Sequence, residues 1–232
     1  MVDRLSKLAE SLRSRTRTFY SPVKQICLMH QDEVKSLEVK AVLEGVSELV
    51  RLAKVNGVDF TRLPINSKGI EEYIKHAKST SRNDSQLNAD TIGLDMIEDP
   101  SRNPTKGGKD HYKILIVNGD IYSGNANFLI GSAREGIGAT VSTYRLQGLS
   151  ERAKYECLKT IAIHEFGHVF GLIPESRTDD VEEIFGKHCT NVCVMRQGLD
   201  VPHDWIKITS DRLVNGTLCN TCETDLQNYF RQ

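Results

Sequence analysis

HEFGHVFGLIPESRTDDVEEIFGKHC, residues 164–189, is the stretch from which the rest of the chain is read. His164 and His168 stand four residues apart, which puts both imidazoles on one face of a helix. Glu165 follows the first histidine and projects beside that face, close enough to touch a metal-bound water without ligating the metal. Two neutral nitrogen donors with an adjoining carboxylate form the HExxH pattern of a hydrolytic zinc site. Five residues can match by chance, but this match lies in a helical pattern running from about Glu151 to Phe170. Ser150 can cap that helix, and Glu151 sits in its first turn, where the helix dipole favours an acid. The opposite stripe, Leu158, Ile161, Ala162, Phe166 and Val169, is apolar and would anchor the helix on a sheet. Gly171 can take a positive φ just past the last turn and redirect the chain beneath the metal.

Upstream of this helix, KILIVNG (113–119), NFLIGSA (127–133) and ATVSTYRL (139–146) read as strands, the first of them buried. Tyr144 and Arg145 fall near the start of the helix, where packing at the end of the sheet is the simpler role. In the first half, residues 1–17 read as a polar helix and VKQICLMH (23–30) as a strand. An amphipathic helix spans 32–53, with Gly57 as its stop; VDFTRLPI reads as a short strand, and Gly69 to Lys78 as a further helix. TIGLDMI (91–97) reads as a strand inside a region otherwise rich in loop formers, and DPSRNPTKGGKD (99–110) as a loop. That loop divides the chain into an N-terminal portion, 1–110, and a catalytic region, 111–232.

The 232 residues carry a formal net charge of -1, with 26% charged and 39% hydrophobic residues, the balance of a globular protein. Neither nucleic acid nor membrane is implied as a partner. No apolar run is long enough to span a bilayer. The first twenty residues lack the apolar stretch of a secretory signal, so a cytoplasmic location is expected.

Six cysteines are present. Cys27 and Cys157 lie in apolar segments and read as core thiols. Cys189, Cys193, Cys219 and Cys222 form CxxxC and CxxC pairs. In a reducing compartment, two close pairs suggest a closed tetrahedral structural zinc site ahead of disulfides or free thiols.

HEFGHVFG with a later histidine and methionine follows the metzincin pattern. With HCTNVCVM (188–195), CNTC (219–222), NFLIGSA and ATVSTYRL, the chain from about Lys113 onward resembles the archaemetzincins. The resemblance implies a mixed α/β (α+β) fold: a twisted mixed sheet packed on the active-site helix, with a small zinc-stapled C-terminal subdomain. It also implies that the third metal-binding histidine lies three residues after the glycine and directly before the first cysteine. Position 174 is a proline here, and the histidine that precedes a cysteine is His188. Sixteen residues, 172–187, therefore stand where the resemblance implies two. They read as an inserted surface loop, and His188 is the expected third ligand. A carboxylate from Asp179, Asp180, Glu182 or Glu183 is an alternative, and His203 a more distant one. By the resemblance, Met195 is the apolar floor beneath the metal.

These readings lead to the expectation of a zinc-dependent peptidase acting on a peptide or protein. Two zinc ions per chain are expected, one catalytic and one structural, with Glu165 as general base. A zinc hydrolase with a carboxylate ligand, and an inactive zinc-stabilised binding protein, are the competing readings.

Overall fold

YKILIV is buried at every position, and it forms the central strand β4 (Tyr112–Val117). In the computed structural model, residues 25–55, 60–61, 69–102 and 111–231 are described. On either side of β4, β1 (Ile26–His30) and β7 (Gly138–Ser142) run parallel to it. β2 (Phe60–Thr61) extends the sheet beyond β1, and β6 (Gly131–Arg134) closes the opposite edge antiparallel to β7. The order is β2-β1-β4-β7-β6, a mixed sheet.

Unbroken apolarity in β4 follows from burial of both faces. Tyr112, Ile114 and Ile116 join one core with α1 (Ser36–Leu52) and α4 (Glu151–Val169). Leu115 and Val117 join a second core with Cys27 and Met29 of β1, α2 (Ile70–Ser79) and α3 (Ala89–Glu98). Each of these fully buried aliphatic side chains contributes about 1.5–3 kcal/mol. Gly45 lets α1 lie close on α4, since a Cβ there would sit 2.5 Å from the Lys159 carbonyl oxygen. Cys27 and Cys157 are buried core thiols, as expected, and burial raises the pKa of both. Lys113 is fully buried in the second core, where its ammonium donates to Asp99 at 2.8 Å.

Outside the main sheet, β3 (Gln86–Asn88) pairs in parallel with β5 (Asp120–Tyr122). A hairpin forms from β8 (Val181–Glu183) and β9 (Lys187–Cys189). Helices α5 (His203–Asn215) and α6 (Asn220–Tyr229) complete the chain. Cys189, Cys193, Cys222, Leu226 and Phe230 belong to the same core as α4, so the C-terminal segment packs into the main body.

Several expectations are corrected. TIGLDMI lies in a helix, α3. The Asn88 side chain caps it by accepting from the backbone N–H groups of Asp90 and Thr91, and Ile92 and Met96 face inward four residues apart. NFLIGSA is a strand only from Gly131 onward. The polar helix expected over residues 1–17 and the helix stop at Gly57 lie outside the described residues. VDFTRLPI is described only at Phe60–Thr61, which is strand. Among the described residues, no helix is long and apolar enough to cross a membrane.

Candidate metal centre and cleft

Helix α4 carries His164 and His168 one turn apart, with their Nε2 atoms separated by 3.3 Å. The second strand of the hairpin brings His188 over them. Its ring lies nearly parallel to His164, centroids 5.3 Å apart, and edge-on to His168 at 5.1 Å. One nitrogen from each of the three histidines lies within 4.8 Å of the other two. Asp179, Asp180, Glu182 and Glu183 are absent from this cluster, which contains histidines alone. His203 is on the surface at the start of α5, 3.2 Å from Asp200.

Hydrogen bonds set the tautomers. His164 Nδ1 lies 2.9 Å from the Val194 carbonyl oxygen, and His188 Nδ1 lies 3.0 Å from that of Gly186. A carbonyl can only accept, so each Nδ1 holds its proton and Nε2 is left with a free lone pair. Burial disfavours the charged form of all three imidazoles. Burial lowers the pKa of His164 far below its ordinary value, with further lowering from repulsion by His168 and His188. Burial, then His188, takes His168 down to about 3, and burial lowers His188. Neutral imidazole is the form that binds metal. Nitrogens about 2.0–2.1 Å from a tetrahedral zinc ion lie roughly 3.3 Å apart, the spacing of the helical pair. The donor set therefore fits zinc.

The support beneath the triad is tight. Met195 is fully buried against the backbone of Gly167, where a Cβ would meet its Sδ at 2.4 Å. The Met195 carbonyl accepts from the Cys189 N–H at 2.8 Å, fixing the residue that follows His188. Gly171 takes φ +64°, the left-handed turn that glycine favours at a helix end. Trp205 packs edge-on against His164 with centroids 5.1 Å apart.

Glu165 is buried beside the triad, and burial raises its carboxyl to about 8. A nearby cation acts in the opposite direction. Its carboxylate lies against Gly131 of β6, where a Cβ would be 2.2 Å from Oε1. The triad and Glu165 form the floor of a cleft of about 830 Å³. The cleft is lined by the loop 123–130 and edge strand β6, and by Phe185, Leu199 and Trp205. Phe185, at the hairpin tip, is 67% exposed and holds φ +52°, an uncommon conformation for a bulky residue. Arg145 pairs with Asp120 through two contacts of 2.7 Å and lies over the ring of Phe128.

Cys189, Cys193, Cys219 and Cys222 place their sulfurs within 4.8 Å of one another. The Cys189 and Cys219 sulfurs are 3.7 Å apart, close to the roughly 3.8 Å set by 2.3 Å bonds to a tetrahedral ion. The buried guanidinium of Arg177 donates to the Cys222 and Cys189 sulfurs at 3.3 and 3.4 Å, and the Cys219 N–H points at the Cys193 sulfur. Positive donors aimed at sulfur favour thiolate, so this cluster also fits zinc. Neighbouring thiols donating to Cys189 lower its pKa, and the same pairing raises those of Cys193 and Cys222. Arg177, Gly131, Phe185 and Trp205 were not singled out from the sequence. Trp205 carried one signal, as the only tryptophan in the chain. Arg177 carried none in an acidic loop.

No protein-family model matches the chain. It is 41% identical over 88 residues to an archaemetzincin of Nanoarchaeum equitans, covering 38% of this chain and 40% of that protein. It is 35% identical over 82 residues to an archaemetzincin of Archaeoglobus fulgidus, covering 35% and 42%. The matches span about two fifths of the length of these curated relatives. In three dimensions the chain is similar to the crystal structure of archaemetzincin from Methanopyrus kandleri, with a TM-score of 0.60 at 22% identity, covering 90% of this chain and 97% of that one. The fold is archaemetzincin-like, and the likeness extends well into the N-terminal half.

Proposed function

We propose that the protein is a zinc-dependent peptidase, with zinc held by His164, His168 and His188 and with Glu165 as general base. A second, structural zinc is held by Cys189, Cys193, Cys219 and Cys222. One observation carries the reading: three histidine nitrogens converge beside a buried carboxylate in a cleft bordered by a sheet edge. The sequence likeness to archaemetzincins supports it.

Zinc at the triad would supply Lewis acidity, polarising a scissile carbonyl and acidifying a water. The chain's own residues do the rest. Glu165 lies buried beside the triad, where a bound cation would offset the upward push of burial and leave its carboxylate as a proton acceptor, able to pass a proton to a leaving amine. Among the described residues, strand β6 is hydrogen-bonded within the sheet to β7 alone, so its outer edge can pair with an extended peptide along the cleft. Gly131 in that strand lies on Glu165, which puts the base next to the peptide track.

Replacing Glu165 with alanine tests the assignment. Zinc content, measured by metal analysis, should stay at the wild-type level while peptide hydrolysis falls by about 10²–10⁴-fold. Undiminished hydrolysis would remove Glu165 from the chemistry.

A further inference from the structure

The inserted segment carries Arg177, whose side chain is 6% exposed and whose donors all find partners. Nε donates to the Asp179 carbonyl at 2.9 Å, and Nη2 to the Asp180 carbonyl at 3.4 Å. Nη1 donates to Asp225 at 3.0 Å and to the Cys222 sulfur at 3.3 Å, while Nη2 also reaches the Cys189 sulfur at 3.4 Å. A single planar fork thus ties the approach to the hairpin, two cysteines and a carboxylate of α6.

We propose that Arg177 is a positioning residue that couples the two metal sites, so that filling the cysteine site raises the affinity of the histidine site. Two chains of contacts lead from it to the triad. Arg177 holds Asp180, whose carbonyl accepts from Thr190 at 3.0 Å, and β8 pairs with β9 so that Glu182 faces His188. Cys189 is also the next residue after His188. The electrostatics give the coupling its direction. Four thiolates around a divalent ion carry net negative charge, and Asp225 adds more nearby. The guanidinium between them offsets that repulsion most fully once the cysteine site is loaded, and it then grips the hairpin approach most firmly. By linkage, each site raises the affinity of the other by the same factor, of order tenfold.

The test uses the full chain stripped of metal and titrated with Co²⁺, whose thiolate charge-transfer absorption distinguishes the cysteine site from the histidine site. In the wild-type chain the cysteine site should fill first, with the histidine site binding more tightly after it. Arg177→Met should weaken cobalt at the histidine site about tenfold although all seven ligands remain. Arg177→Met should also weaken cobalt at the cysteine site, whose sulfurs lose their guanidinium donor, and adding Asp225→Asn should recover part of that loss, since the like charge is removed. The proposal is overturned if Arg177→Met leaves histidine-site affinity unchanged. It is overturned equally if the two wild-type sites fill independently, a measurement that needs no variant to fold.

Discussion

Replacing Gly131 with alanine would press a methyl group into the base. A Cβ there would lie 2.2 Å from Glu165 Oε1, 2.4 Å from Cδ and 2.5 Å from Cγ. Comfortable carbon contacts are about 3.5–4.0 Å, so the carboxylate must move by roughly 1 Å or more. It can do so by swinging toward the cleft, which keeps the fold cost near the low end for overpacking, about 1 kcal/mol. Catalysis has less tolerance. A misplacement of about 1 Å can cost 10²-fold, or roughly 2.7 kcal/mol of transition-state stabilisation. Initial rates on an internally quenched peptide mixture, read beside zinc content and thermal midpoint, would separate these effects. We expect zinc retained, the midpoint nearly unchanged and kcat/KM down by about 100-fold. In a double-mutant cycle, Gly131→Ala should add little to Glu165→Ala, because both act on one proton transfer. Wild-type rates in Gly131→Ala, or additive losses in the double variant, would refute the placement of Glu165 beneath the peptide track.

Gly167→Ala would drive a Cβ to 2.4 Å from the buried Met195 sulfur, so urea unfolding should show a loss of about 1–3 kcal/mol, with weakened zinc at the triad. Lys113→Met leaves Asp99 buried without its ammonium partner, and unfolding should show a loss of about 3–5 kcal/mol, with much of it recovered when Asp99→Asn is added. In zinc-stripped protein, burial holds the three histidines below their ordinary value of 6.5, with repulsion between imidazoles adding at His164 and His168, the latter at about 3. The unfolded chain therefore takes up protons first as pH drops below about 6.5, and stability is lost from there downward. Glu165, raised by burial from 4.5 to about 8, has the opposite sign: its contribution is lost as pH rises through that range. Three histidines oppose one carboxyl, so the urea midpoint should fall between about pH 7 and 5, more steeply in Glu165→Gln. A flat midpoint would contradict the burial of the triad.

What the sequence revealed and what it hid differ for physical reasons. Helix α4 was legible because capping, apolar stripe and ligand spacing agree over nineteen residues. β4 was legible because burial on both faces leaves an unbroken apolar run. Helix α3 was misread because its β-branched residues and exposed Leu94 and Ile97 blur the helical period, while Asn88, its cap, went unnoticed in a region of loop formers. The place of β1 beside β4 could not be read, since parallel neighbours are joined through distant crossovers. The sequence nominated His188 from its position before a cysteine, but its reach to the triad depends on a hairpin that an acidic, turn-rich loop does not announce.

Against the two residues that the resemblance to archaemetzincins implies, the sixteen between Gly171 and His188 are about three doublings, so the added closure entropy costs about 2 kcal/mol. A structural zinc site releases about 10–16 kcal/mol on binding, and the cysteine cluster proposed as one includes Cys189, the residue after His188. The closure cost is therefore small; the accuracy of His188 is the harder requirement, because a free loop of this length would not hold one imidazole nitrogen in a fixed position. The chain meets it locally. The β8–β9 pairing, the Gly186 carbonyl at His188 Nδ1 and the Met195 carbonyl at the Cys189 N–H fix the ligand from three directions. The insertion is then a scaffold for a ligand as well as a spacer, and shortening it back to two residues without keeping these contacts should cost zinc affinity at the triad.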